Sequence, residues 1–230
     1  MPVPGNSDTL KICPLIDFDP RLDKFYPFDF SRNNAALSED LIADTRLFSR
    51  YIEKELERNG CKYGIGGYNE HRTIYARSTH FDDGQEPRRL HLGTDIWGPE
   101  GSPVYAPLDG SVHSFHFNNN FGDYGATLIV AHRYGGEHFF ALYGHLDLAS
   151  IQHIKEGDLV TAGKQIACFG SVEENGHWPP HLHFQIIKNM EGMKGDYPGV
   201  CRFSERSRYL QNCPDPDFIL QMNQYILKPS

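Results

Sequence analysis

The chain has 230 residues and a formal net charge of −8, and it is 39% hydrophobic and 13% aromatic. That length and apolar content suit one or two domains with a packed core and exclude a disordered or fibrous chain. The acidic balance gives no electrostatic case for binding nucleic acid or an anionic membrane, and no segment approaches the roughly eighteen apolar residues of a membrane span.

The amino terminus, Met1-Pro-Val-Pro-Gly-Asn-Ser-Asp-Thr-Leu10, has no basic start and no apolar run. It does not read as a secretory signal, so the expected location is the cytoplasm. Five cysteines at irregular spacing, without a C-x-x-C, fit reduced thiols better than a disulfide framework. Residues up to about 35 are rich in Pro, Asp and Phe and read as an irregular wrapping segment. The clearest helix signal follows. Leu47, Phe48, Tyr51, Ile52 and Leu56 recur at helical spacing, with Asp44 placed to cap the start and Gly60 to end it. One amphipathic helix over about 44–59 is therefore expected.

From about Arg88 to Lys188, short apolar runs alternate with glycine-bearing turns: Ser102 to Ala106, Ala126 to Ala131, His138 to Tyr143 and His181 to Ile187. That rhythm predicts a mainly β fold, an antiparallel two-sheet sandwich or barrel-like core. With its helical and irregular amino-terminal extension the chain is α+β overall. The expected division is an extension over 1–85, a core over 86–190, and a carboxy-terminal loop and short helix over 191–230, the helix around Phe218 to Ile226. The stretch from Asn189 to Val200 reads as a loop, and His113 and His116 as a solvated turn.

Two histidine patterns lie about ninety positions apart: His91-Leu-Gly-Thr-Asp95 and His181-Leu-His183-Phe184. On extended backbone, residues two or four apart share a face. His181 and His183 then point one way while Leu182 and Phe184 pack on the other. His91 and Asp95 also share a face, with Gly93 between them leaving room for a metal. Two imidazoles and a carboxylate with an open fourth position are what a catalytic zinc needs, whereas structural zinc sites have four closed ligands and often cysteines. A third element, Tyr143-Gly-His145-Leu146, puts one more histidine at a strand end. His177 reads as a loop residue and Trp178 as a substrate platform or lid anchor.

At these residues the chain resembles the lysostaphin-type zinc endopeptidases of the M23 family, which cleave peptidoglycan. The resemblance runs from about Arg88 to about Ile187. It takes in His91-Leu-Gly-Thr-Asp95, Gly101-Ser-Pro-Val-Tyr-Ala-Pro-Leu-Asp-Gly-Ser-Val112, Gly122-Asp-Tyr-Gly-Ala-Thr-Leu-Ile-Val-Ala-His132, Leu142-Tyr-Gly-His-Leu146, Glu156-Gly-Asp-Leu-Val-Thr-Ala-Gly-Lys-Gln-Ile166 and His181-Leu-His-Phe184. It implies one Zn²⁺ per chain held by His91, Asp95 and His183, with His145 and His181 flanking the reacting water as general base and oxyanion stabiliser. It implies a zinc metalloendopeptidase acting on a peptide or muropeptide, by way of a water that zinc makes acidic. Two neutral histidines, one aspartate and the metal carry a net charge near plus one, which suits a developing oxyanion. The competing reading is a latent or non-catalytic zinc-binding module of the same fold. Some family members are latent because a preceding segment supplies a fourth ligand, and here Asn33, Asn34, Asn69 or Glu70 are the candidates.

Overall fold

The computed structural model describes residues 12–82 and 84–228. The reading of the first ten residues as free of a secretory signal lies outside the described residues.

In chain order the elements are β1 (Phe25–Phe28), α1 (Glu39–Ala43), α2 (Thr45–Arg58), β2 (Tyr63–Gly66), two 3₁₀ turns (Ile74–Arg77 and Thr79–Phe81), β3 (Leu90–His91), β4 (Thr94–Trp97), β5 (Pro103–Tyr105), β6 (Gly110–Asn118), β7 (Gly125–Tyr134), β8 (Glu137–Leu146), α3 (Ala149–Gln152), β9 (Leu159–Val160), β10 (Gln165–Cys168), β11 (His181–Ile187), β12 (Val200–Cys201), α4 (Arg206–Asn212) and α5 (Asp217–Leu220). The fold is mainly β. The described strands form one eight-stranded sheet, ordered β1-β2-β4-β11-β8-β7-β6-β9, and two two-stranded sheets, β10-β5 and β12-β3. The large sheet is mixed and not wholly antiparallel, because β1 runs parallel to β2. That pairing is possible because α1 and α2 separate the two strands in sequence, as a parallel crossover requires.

Local chemistry accounts for the elements. Gly135 and Gly136, at φ 61° and 86°, make the two-residue turn between β7 and β8, a turn that needs positive φ at both positions. Asp44 caps α2, its carboxylate accepting from the backbone N–H groups of Arg46 and Leu47. The helix buries Phe48, Ile52 and Leu56. Phe48 meets Phe30 and Trp97, with ring centres 5.9 and 6.0 Å away, so the helix backs strand β4.

Alternation along the strands divides the apolar residues. Leu128, Val130, Tyr143, Leu182, Phe184 and Ile186 belong to the largest core cluster. Ile129, Leu142 and Ile187 face the opposite cluster with Tyr124 and Tyr197. Three features differ from the sequence expectation. His113 and His116 lie within β6, not in a turn. The expected loop holds over residues 189–199, but its last residue, Val200, begins β12, and the tail beyond it carries α4. The carboxy-terminal helical stretch is split into α5 and a 3₁₀ turn, Asn223–Tyr225, by Gln221 at φ 51°.

Candidate metal centre and catalytic cleft

Strand register brings the histidine patterns together. On β11, His183 pairs with Asp95 of β4 and with Gly144 of β8, while His181 pairs with Trp97. His91 enters from β3. The Nε2 of His91, the Nδ1 of His183 and the Oδ1 of Asp95 converge: the nitrogens are 3.0 Å apart, and the carboxylate oxygen is 3.2 Å from His91 and 2.9 Å from His183. All three residues are buried, and among the described residues no fourth His, Cys, Asp or Glu joins the group.

Hydrogen bonds fix the tautomers. The Nδ1 of His91 lies 3.0 Å from the Gly67 carbonyl, which can only accept, so that nitrogen carries the proton. The Nε2 of His183 lies 2.9 Å from the Oε1 of Gln185, whose amide nitrogen donates to the Pro198 carbonyl, so here the proton is on Nε2. The converging atoms are therefore three lone-pair donors. Such an arrangement is repulsive without a cation between them and suits a zinc ion with one carboxylate and two neutral imidazoles. Burial, and then the Arg72 charge, lowers the His91 pKa to about 4, keeping it neutral. Burial works against the charge of Asp95, yet the Arg72 guanidinium beside it holds its carboxyl well below the usual range.

His145 and His181 sit next to this group, their ring centres 4.0 Å apart. Each donates Nδ1–H to a backbone carbonyl, His145 to Asn175 and His181 to Pro179, both at 2.8 Å. Nε2 is thus the lone pair of each ring, and both residues line the cleft. Asn175 organises the loop that supplies those carbonyls. It donates to the Trp178 and Gly170 carbonyls and accepts from the Trp178 N–H. Burial lowers the His181 pKa to about 4, and burial together with His181 pushes His145 well below its ordinary value.

His145 reaches the cleft through a break in the strand. Strict alternation would turn it towards the core with Tyr143. Between β7 and β8 the register slips: Leu128 opposes Tyr143 but Ala126 opposes Leu146. This bulge contains His145 at φ 63°, a left-handed conformation rare outside glycine. A bulge of this kind re-aims a side chain, and here it sends the imidazole to the His181 side of the sheet. The conformation also carries a strain that the surrounding contacts must hold.

Residues 89–194 match the model described as Peptidase family M23. The chain carries an M23 peptidase domain. It is 31% identical over 139 residues to the peptidoglycan DD-endopeptidase ShyB of Vibrio cholerae, covering 58% of this chain and 30% of that protein. It is 34% identical over 129 residues to the DD-carboxypeptidase/endopeptidase Mpg of Neisseria meningitidis, covering 54% and 27%. It is 32% identical over 151 residues to the L-Ala–D-Glu endopeptidase of Bacillus subtilis, covering 63% and 42%. The chain therefore spans less than half the length of each of these relatives.

Several residues around the M23 site lie outside the two histidine motifs. Arg72 donates from Nη1 to the Oδ2 of Asp95 and, at 2.7 Å, from Nε to the Oε2 of Glu70. Glu70 and Arg72 cancel, so the net charge read from the sequence is unchanged. Gly93 leaves room for the His183 ring: a Cβ there would lie 2.6 Å from its Cε1. Tyr124, another cleft residue, donates to the Tyr197 carbonyl and stands 5.2 Å, ring to ring, from His183.

Over the M23 site lies a roof. Tyr75 and Phe81, from the 3₁₀ turns, pack with ring centres 4.7 Å apart and meet Trp178 at 6.0 and 6.5 Å. Arg77 covers Trp178 at 4.7 Å and donates to the Thr45 hydroxyl at the start of α2. The Thr45 hydroxyl in turn donates to the His177 carbonyl. His177 stacks on Phe121, and His80 lines the cleft, although its sequence context gives no partner pattern. Under this roof the five site residues are only 0–6% exposed, and the cleft volume is about 140 Å³. None of the four candidates for a fourth ligand is part of the converging group. The Oδ1 of Asn69 accepts from Arg206, and both oxygens of Glu70 serve Phe30 and Arg72. Asn33 and Asn34 belong to the turn after Phe30, where Asn34 donates to the Asp29 carbonyl.

Proposed function

We propose that this chain is a zinc metallopeptidase that hydrolyses a peptide bond in a peptidoglycan-derived peptide. The single observation carrying this reading is the convergence of three proton-free donor atoms, from His91, Asp95 and His183, beside the paired imidazoles of His145 and His181. The match of residues 89–194 to the M23 peptidases and the activities named for the relatives support the same class of substrate. In this reading residues 86–190 form the peptidase core, the described part of the 1–85 extension roofs it, and the described part of the 191–230 tail packs on it.

His91 Nε2, His183 Nδ1 and one oxygen of Asp95 hold the metal. A bound Zn²⁺ supplies Lewis acidity, polarising the scissile carbonyl and making water acidic near neutral pH. His145 and His181, both neutral with Nε2 free of its proton, divide two tasks. One accepts the proton of the attacking water and returns it to the leaving amine. The other takes up a proton from solvent as charge develops, donates it as a hydrogen bond to the oxyanion, and releases it when the carbonyl re-forms. The Asn175 and Pro179 carbonyls keep both rings in the required tautomer. Tyr75, Phe81 and Trp178 exclude bulk water, which strengthens every electrostatic contact beneath them.

The narrow, roofed cleft favours a short soluble muropeptide over intact wall, and with it the cytoplasmic location expected from the sequence. Among the described residues no helix is long and apolar enough to cross a membrane. The roof also favours a second reading, a latent or non-catalytic zinc-binding module, since it covers the site with residues from the extension.

The deciding experiment measures zinc by elemental analysis and then assays the protein on soluble muropeptides and whole peptidoglycan. One zinc per chain with cleavage of the soluble pieces is expected. Asp95→Ala should lose zinc and cleavage together. His181→Ala should keep zinc and lower kcat by about 10²–10⁴-fold. Zinc without cleavage of either substrate would establish the latent module, and absence of zinc would remove both readings. Recovery of the native chain from outside the cytoplasmic membrane would remove the cytoplasmic assignment.

A further inference from the structure

The buried arginine behind the metal centre is built in with more care than the packing alone requires. Arg72 lies between the two 3₁₀ turns and β2, seventeen positions before the first residue of the matched domain. It is 0% exposed. Burying a guanidinium is costly unless it is paired, and replacing a buried pair by apolar groups is often neutral or stabilising. A purely structural role would not need this residue.

Its seat is specific. The backbone N–H of Arg72 donates to the Arg89 carbonyl at 2.9 Å, fixing the chain beside the strand that carries His91. The guanidinium lies 5.3 Å from the Phe30 ring centre. Gly66 opposes Asp95 in the β2–β4 register, and a Cβ at Gly66 would lie 2.5 Å from Nη2, so the glycine gives the guanidinium its space. Glu70 anchors Nε, which aims Nη1 at one oxygen of Asp95. The two oxygens of Asp95 thereby have separate partners: Oδ2 takes Arg72, and Oδ1 faces His91 and His183.

We propose that Arg72 is a positioning residue of the metal centre, occupying Oδ2 of Asp95 so that the carboxylate offers the metal a single oxygen. This rests on the metallopeptidase reading above. Groups that orient a ligand from behind typically change metal affinity or activity by about 10–100-fold when removed. The consequence is that the extension completes the metal site as well as covering it. Lysine can supply the charge but not the fork geometry that reaches Glu70 and Asp95 at once.

The test uses the full chain with Arg72→Met, Arg72→Lys and Glu70→Gln. Zinc affinity is measured by competition with a chromophoric chelator, and the Co²⁺-loaded proteins are compared by visible absorption, which reports coordination number. The expected result is zinc affinity about 10–100-fold weaker in Arg72→Met, with a weaker, altered Co²⁺ spectrum. A smaller loss is expected in Arg72→Lys, and a smaller one again in Glu70→Gln. Circular dichroism of the metal-free proteins identifies any variant that fails to fold. If Arg72→Met does not fold, Arg72→Lys decides by the same readouts. A folded variant with native affinity and a native Co²⁺ spectrum would overturn the role of Arg72 while leaving the metal site intact. A native chain that binds neither ion would overturn the metallopeptidase reading itself.

Discussion

The indole of Trp97 lies flat against the imidazole of His181, with ring centres 3.9 Å apart and planes 11° from parallel. The two residues are register partners on β4 and β11. Phe28, Phe30 and Phe48 pack round the indole, so helix α2 supports His181 through one aromatic relay. Trp97→Ala should destabilise the fold by about 3–5 kcal/mol, the usual cost of removing a buried large aromatic. Trp97→Phe should retain most of the stability and lower kcat with little change in KM, because the histidine keeps its Pro179 hydrogen bond but loses part of its supporting surface. Denaturant titration and steady-state kinetics check both. Native kcat in both variants would show that the stack is packing alone.

Gly93 and Gly67 provide a matched pair. A methyl group at Gly93 would lie 2.6 Å from the His183 ring and 2.8 Å from the Phe184 carbonyl, whereas at Gly67 its nearest neighbour is the Glu70 Cβ at 3.7 Å, an ordinary contact. Gly93→Ala should therefore displace a metal ligand and weaken zinc binding by at least tenfold, on the order of losing a ligand-orienting contact. Gly67→Ala should bind zinc as the native chain does. Equal affinities in the two variants would refute the crowding argument.

These two glycines also show what could be read from the sequence. The spacing of His91, Asp95, His181 and His183 was legible because strands impose period two and the motifs lie within them. Gly93 was legible as a place needing space, but the space serves His183 from another strand, which only the fold reveals. The face of His145 was not legible, because alternation points the wrong way until the bulge is known. Arg72, Trp97 and Tyr124 are single residues that reach the site through tertiary packing, and no local pattern marks them. The long runs that became β7, β8 and β11 were clear, whereas β1 was hidden in a Pro- and Asp-rich segment and pairs in parallel with a strand beyond two helices.

Acid should destabilise the metal-free protein earlier than an average acidic fold. His91 and His181 have folded pKa values lowered to about 4, and His145 is lowered too, all chiefly by burial. An unfolded chain protonates these groups near the ordinary histidine value of about 6.5. Between that pH and about 4 the unfolded state binds more protons, so stability rises with pH and falls on acidification. Each lowered histidine contributes roughly 1 kcal/mol per pH unit in that window. Melting temperature measured on chelator-treated protein from pH 7 to pH 4 should drop steadily, and His181→Asn should flatten the slope. An unchanged slope in that variant would contradict the assignment.

Phe81 tests the roof. Its ring packs between Tyr75, His80 and Trp178 over the cleft, and it comes from the extension. Phe81→Ala should widen the entrance and raise the ratio of cleavage on large crosslinked fragments to cleavage on short peptides, even where stability falls. Competition between the two substrates in one reaction measures that ratio directly. A ratio unchanged from the native chain would mean that the roof does not select by size.

The partnership of β2 with β4 has a bearing on how the molecule divides. The family match starts at residue 89, but β4 borrows its neighbour from residues well before that point. A fragment beginning at residue 86 would leave the backbone of β4 as a raw edge, with Trp97 stripped of Phe28, Phe30 and Phe48. Unpaired edges of that kind recruit other chains. Strand β2 and the aromatic residues around it thus shield β4 from self-association, and trimming to the matched domain should make the protein more prone to aggregate.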